Sequence, residues 1–142
     1  MVFFYAKNMK SKLLYLKEKD FISTAYFFDY QQDIYSLKSY INHLVKKHLF
    51  NLPEYNRLAR KEMNLKNKIP IYFSPDLLLF KINSQEGSYY INYFNVLKFC
   101  YEDKNVVIIF KNYDILKLTV SKIILSKELK KIDVVLTYIS SL

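Results

Sequence analysis

"SLKSYINHLVKKHLFNLPEYNRLARKEM", residues 36–63, decides the fold, because its apolar residues recur with a helical period between flanks that alternate like strands. In the first half Leu37, Tyr40, Ile41, Leu44, Val45, His48 and Leu49 follow the i, i+3, i+4, i+7 spacing of an amphipathic helix, and Ser36 stands where an N-cap belongs. Lys38, Asn42, Lys46 and Lys47 fall on the remaining face. Asn51-Leu52-Pro53 stops this helix and starts another, with Asn51 as N-cap and Pro53 in the first turn, where a missing N–H is no loss. Tyr55, Leu58, Ala59 and Met63 then form an apolar stripe. At about 100° per residue, Arg57, Arg60, Lys61 and Asn64 share the opposite face, and Lys68 would join them if the helix ran on.

Strand patterns surround this pair. Residues 1–28 read as "VFFYA", "KLLYL", a charged turn "KEKD" and "FISTAYFF", in which Phe21, Ser23, Ala25 and Phe27 face one way and Ile22, Thr24, Tyr26 and Phe28 the other. "DYQQD" interrupts the apolar pattern. After the helices come "IPIYF" (69–73) and "LLLFKI" (77–82) around the turn Ser74-Pro75-Asp76, then "NSQEGS", which holds the only glycine. "YYINYF", "VLKFCY", "VVIIF" and "ILKLTV" follow, the last three separated by polar clusters of hairpin length. From Ser121 the period lengthens again: Leu125, Leu129, Ile132, Leu136 and Ile139 mark a closing helix capped by Ser121. The expected fold is therefore α+β, with antiparallel β meanders, a central helical pair and a C-terminal amphipathic helix, in one domain over residues 1–142.

Composition narrows the class. The chain has 142 residues, enough for one core, and its 14 Tyr and 11 Phe are far more than a disordered chain carries. No apolar run approaches the roughly 18–20 residues that span a bilayer. The opening "MVFFYAKNMK" lacks the basic stretch that precedes a signal-peptide core, so the expected compartment is the cytoplasm, with no membrane partner. Cys100 is the single cysteine and excludes an internal disulfide; inside "VLKFCY" it reads as a small buried hydrophobe.

Catalytic constellations are absent from the sequence, and no enzyme activity is expected. Two histidines, one cysteine and scattered carboxylates give no nucleophile, base and orienting group in sequence. His43 and His48 are five apart, which is off the spacing that puts two ligands on one helix face, and His48 reads as a packed residue at the core edge. One glycine cannot build a phosphate-cradling loop, so no cofactor is expected.

Charge is the remaining signal. The formal net charge is +9, yet Lys, Asn, Ile, Tyr and Phe abound while Gly, Ala, Arg and Pro are scarce, a skew that an AT-rich genome imposes on any protein. Distribution says more than the total. Residues 41–70 carry seven basic side chains against two acidic ones, more than half of the excess, and include both arginines, Arg57 and Arg60. Lys46, Lys47, Lys61, Lys66 and Lys68 complete the segment. It is either the solvated face of a lysine-rich helix pair or a patch built for phosphates. Arginine, which forks onto phosphate and enters a narrow A-tract minor groove, favours the patch.

The order of the pieces resembles the ComK family, competence transcription factors of low-GC Gram-positive bacteria. The resemblance runs through "SLKSYINHL", "EYNRLARKEM", "NKIPIYFSPDLLLFKI", "SYYINYFNVLKF" and "VVIIFKNYDILKLTVSKIILSKELKK", about residues 10–140. Asn56-Arg57 stands where the family has Gly-Arg, and "NKIPI" (67–71) stands for its Pro-Ile strand. "SYYIN" (88–92) stands for the Trp-Ile segment, with Tyr89 or Tyr90 for the tryptophan, and "VIIFKN" (107–112) for the hairpin. "TVSKIILSKEL" (119–129) stands for the Ser-initiated closing helix, and the family's Phe-Pro pair is Phe80-Lys81. The chain given ends at Leu142, without the basic tail of longer members; if that tail contributes to activation, the resemblance implies DNA binding with weaker activation.

The resemblance implies a cytoplasmic regulator of DNA-uptake genes that binds paired A/T-rich boxes of double-stranded DNA as a homo-oligomer, its level set by an adaptor and a Clp protease. The expected DNA-binding residues are Arg57, Arg60, Lys61, Lys66, Lys68, Lys46 and Lys47. The arginines would enter or flank the minor groove and the lysines would engage phosphates. The alternative from another class is a non-enzymatic, adaptor-like protein-interaction module whose basic charge is incidental. A third possibility is a single-strand binder that stacks bases on Tyr89, Tyr90 and Tyr93.

Overall fold

Tyr15 lies opposite both Tyr26 and Ile91, and that double pairing joins two meanders into one sheet. A computed structural model describes residues 11–142, so the strand expected at "VFFYA" lies outside the described residues. Strands β1 (Leu13–Lys19), β2 (Ile22–Phe27) and β3 (Gln31–Ile34) form the first meander. Strands β4 (Ile71–Ser74), β5 (Leu77–Ser84) and β6 (Gly87–Asn92) form the second. The antiparallel pairing of β1 with β6 gives a six-stranded sheet of order β3-β2-β1-β6-β5-β4. After a short 3-10 turn, β7 (Val96–Glu102), β8 (Asn105–Phe110) and β9 (Ile115–Leu118) make a separate antiparallel sheet.

Helices α1 (Leu37–Lys47) and α2 (Leu52–Glu62) connect β3 to β4 at the opposite edge, and α3 (Lys122–Ser140) closes the chain. Each starts as the sequence indicates. Ser36 and Ser39 form a reciprocal capping box on α1, the Asn51 side chain accepts from the Glu54 N–H, and the Ser121 hydroxyl accepts from the Ile124 N–H.

Strand alternation sends side chains to two faces, and each face has its own core. On one, Leu37, Ile41 and Leu44 of α1 pack on Leu13, Leu16, Ala25, Ile71, Phe73, Leu77 and Leu79. On the other, Leu78, Phe80, Ile82, Tyr89 and Ile91 meet Val106, Ile108 and Phe110 of the small sheet and Leu125, Ile132 and Val135 of α3. A register shift between Leu13 and Tyr15 lets Leu14 join this second core while Leu13 and Leu16 face the first. Helix α2 touches both, with Leu52 at the first and Ala59 and Met63 in the second.

Three local expectations change. The first hairpin turns at Asp20 and Phe21, with φ of 52° and 66°, so Phe21 is fully exposed rather than the first residue of a strand. The polar "QQD" is part of strand β3, whose Gln31, Gln32 and Asp33 are all exposed at the sheet edge, where polar side chains discourage further pairing. Leu49 leaves the apolar stripe of α1: it takes φ of 50° and is 94% exposed. Its N–H returns to the Lys46 carbonyl and that of Phe50 to Val45, the pattern of a left-handed helix stop.

No described helix is long and apolar enough to cross a membrane.

Candidate nucleic-acid interface

Lys81 and Tyr90 are cross-strand partners on β5 and β6, so they lie side by side on the sheet face that carries α1 and α2. The Lys81 ammonium sits 5.6 Å from the Tyr90 ring centre. Above them the two helices leave a cleft with a waist formed by Ile41, Leu52, Lys81 and Tyr90. It opens into two lobes, of about 260 and 380 Å³.

The smaller lobe is basic. Arg60 reaches it from α2, Lys66 and Lys68 from the loop that follows, and Lys81 from β5, with Asn56, Ile69 and Ile71 between them. No carboxylate lines it among the described residues. The loop returns to Arg60 because α2 stops at Glu62. Asn64 then takes φ of 56°, Leu65 donates its N–H back to the Ala59 carbonyl, and the Leu65 side chain is buried in the second core. Lys68 thus meets Arg60 by chain reversal rather than by the continued helix that the phase argument required.

The larger lobe is mixed. Lys38 and Asn42, one turn apart on α1, face Glu18 of β1 and Ser88 of β6 across it. Glu18 is held at the start of α1, where its carboxylate accepts a long, 3.4 Å bond from the Leu37 N–H. The positive end of the helix offsets its charge there. Burial raises the pKa of the Tyr90 hydroxyl above its ordinary value.

The expected residues divide. Arg60, Lys66 and Lys68 converge. Arg57 does not: its Nε donates to Glu54 Oε2 at 3.0 Å and its Nη2 to Glu54 Oε1 at 2.5 Å. Its other charged neighbourhood is Glu62 and Tyr138, on the flank away from the cleft. Lys61, Lys46 and Lys47 are exposed and do not line the cleft. The single face expected from helical phase is therefore split, because side chains within one arc lean to neighbours on either side.

Lys81 is additional to the sequence reading, which named Tyr90 only as a stacking candidate and Lys38 and Asn42 only as part of the polar face of α1. Lys81 had a signal in the sequence: it is the one cation inside the apolar strand "LLLFKI", in antiphase to the buried Phe80 and Ile82. Of the three tyrosines considered for stacking, Tyr89 is buried at 1% exposure and Tyr93 packs against Phe80 and Phe99. Only Tyr90 borders the cleft. His48 lies half-buried with its ring 5.6 Å from Phe73, as a core-edge residue would. Cys100 is half-buried rather than enclosed.

Comparison with known proteins finds no matching family model, no matching curated protein and no matching solved structure.

Proposed function

We propose that the protein is a transcription regulator that binds AT-rich double-stranded DNA, the function its ComK-like motif order implies, and that Arg60, Lys66, Lys68 and Lys81 are its principal contacts. The observation that carries the proposal is the convergence of these four cations, from three separate segments, with no carboxylate lining the lobe. Lysines supplied by codon bias would scatter and pair. Gathering like charges is unfavourable in the free protein, and a polyanion reverses that penalty.

A duplex would lie across the mouth of the cleft, its phosphates within reach of Lys66, Lys68 and Lys81. Arg60 would be directed at the narrow minor groove of an A-tract, where the potential is most negative. Lys61, Lys46 and Lys47 would add outer phosphate contacts, and Arg57 would have to leave Glu54 to contribute. Paired boxes would be bound by a homo-oligomer, with an adaptor and a Clp protease controlling its amount in the cytoplasm.

Fluorescence anisotropy against AT-rich and GC-rich duplexes over a salt series tests the proposal. The AT-rich duplex is expected to bind more tightly, with a steep salt dependence. Arg60→Ala/Lys66→Ala/Lys68→Ala should flatten the slope of log affinity against log salt by roughly 0.9 for each contact removed. Equal affinity for both duplexes, or a triple variant that binds like the parent, would overturn the proposal and favour the interaction module.

A further inference from the structure

We infer that the cleft between α1, α2 and the sheet takes a single phosphorylated nucleoside, with its phosphate in the basic lobe and its base against Tyr90. The inference rests on reading the basic lobe as a phosphate site, and it adds what lies beyond that lobe.

A site that only met backbone phosphates would be a convex or flat field of cations. Here the basic lobe continues past Tyr90 into a second lobe whose chemistry differs. Arg60, Lys66 and Lys68 stand at one end, and Glu18 stands at the other. Lys38 faces Glu18 across that end and balances its charge, so the uncompensated positive charge that suits a phosphate lies in the basic lobe alone. Between the ends the floor is the half-buried Tyr90 ring, over which the Lys81 ammonium rests at 5.6 Å in the free protein. A stacking base takes the place of Lys81 as that cation turns to the phosphate.

Base stacking on an aromatic floor is tolerant of base identity, because every base has a π face. Recognition of an edge falls to the polar groups that line the larger lobe. Asn42 is exposed on α1 and offers both a donor and an acceptor, and the Ser88 hydroxyl stands across from it. The lobe volumes, about 260 and 380 Å³, are of the size that encloses one small polar ligand. A paired base cannot enter, since it remains in its stack. The nucleoside is therefore either a free nucleotide or one unpaired residue of a strand.

Anisotropy and calorimetry separate these sources. The probes are thymidine 5′-monophosphate, a short oligothymidylate, a fully paired AT-rich duplex and the same duplex with one bulged thymidine. The bulged duplex is expected to bind about tenfold more tightly than the paired duplex, and oligothymidylate to bind saturably; Tyr90→Leu should abolish the advantage of the bulge and weaken oligothymidylate, while Tyr90→Phe keeps both. Asn42→Ala, at an exposed position that leaves the core untouched, should weaken the same probes. Saturable monophosphate binding would assign the site to a free nucleotide, and its absence beside strong oligonucleotide binding would assign it to a strand. If Tyr90→Leu and Asn42→Ala bind every probe like the parent, the inference is overturned, even where duplex binding still depends on Arg60. Tyr90-dependent binding of nucleotide or single strand, without any duplex binding, would uphold the inference and overturn the duplex function instead.

Discussion

Arg57 and Glu54 form a forked ion pair across one turn of α2, with Nε 3.0 Å from Oε2 and Nη2 2.5 Å from Oε1. Arg60, one turn further on, has no salt-bridge partner among the described residues and borders the basic lobe. A cation already paired releases fewer counterions when it meets phosphate, so the two arginines are not equivalent. Arg60→Ala is expected to weaken AT-rich duplex binding by about 1–3 kcal/mol and to lower the salt slope by about 1. Arg57→Ala should change affinity by much less, in side-by-side salt titrations. The reverse ranking would mean that the flank facing Tyr138, rather than the cleft, meets the nucleic acid.

Acid should loosen the contact between the β5–β6 turn and the start of α3. Glu86 accepts from the Thr119 N–H at 2.8 Å and from the Thr119 hydroxyl at 2.6 Å. These bonds hold its pKa at about 2, below the usual 4.5. The folded state therefore prefers the carboxylate. Its contribution is complete above pH 4.5 and is lost as the pH falls from there toward about 2. The site is solvent-accessible, so the contribution is only about 1 kcal/mol. Thermal melts across this window should show the parent losing stability more steeply than Glu86→Gln, whose hydrogen bonds do not titrate.

The end of α1 is strained in a way that can be relieved. Leu49 adopts φ of 50°, where a Cβ is unfavourable, and its side chain is 94% exposed, so nothing is lost by removing it. Leu49→Gly should stabilise the protein by about 0.5–1 kcal/mol, after allowing for the greater freedom of glycine in the unfolded chain. Denaturant midpoints measure it. A loss of stability would show that Leu49 is covered by something in solution.

Leu49 also shows where sequence periodicity stops being informative. The stripe Leu37, Ile41, Leu44 is buried as spaced, but phase alone cannot say that the chain reverses before Leu49. The same holds for the site. Helical phase grouped Arg57 with Arg60 correctly in angle, yet the Glu54 pairing, set by one rotamer, separates them. Lys66 and Lys68 were legible as members of one basic segment with Arg60, but the route was not, because they reach it by the chain reversal at the left-handed Asn64 and not by a continued helix. Strand alternation gave most of the sheet strands, whereas the β1–β6 junction links residues too far apart for any local pattern. The polar edge strand β3 lacks the apolar alternation by which strands are recognised.

Gly87 is fixed by close approach. With φ of 142° it sits so that an added Cβ would lie 2.7 Å from the Glu18 carbonyl oxygen, a backbone atom that cannot step aside alone. Gly87→Ala should destabilise by about 1–3 kcal/mol. Because Glu18 lines the larger lobe, the same change should disturb that end of the cleft. Tyr90-dependent oligonucleotide binding is then expected to fall more than the basic-lobe salt dependence.

Asn92 is a polar residue inside the aromatic-rich "YYINYF", and it is completely buried. Its Oδ1 accepts from the N–H groups of Leu78 and Phe94, and its Nδ2 donates to the carbonyls of Leu13 and Asp76. One side chain thus joins β1, the β4–β5 turn, β6 and the 3-10 turn. Asn92→Leu keeps the branching and the heavy-atom count but leaves both amides and the Asp76 carbonyl without this partner. The Leu13 carbonyl retains Asn95 Nδ2 at 2.8 Å. At about 1–3 kcal/mol for each buried group left unpaired, the loss should be about 3 kcal/mol or more. Asn95→Ala should be milder, since Leu13 then keeps Asn92. Urea midpoints of the two variants decide the order, and a loss below about 1 kcal/mol for Asn92→Leu would mean that water replaces the amide.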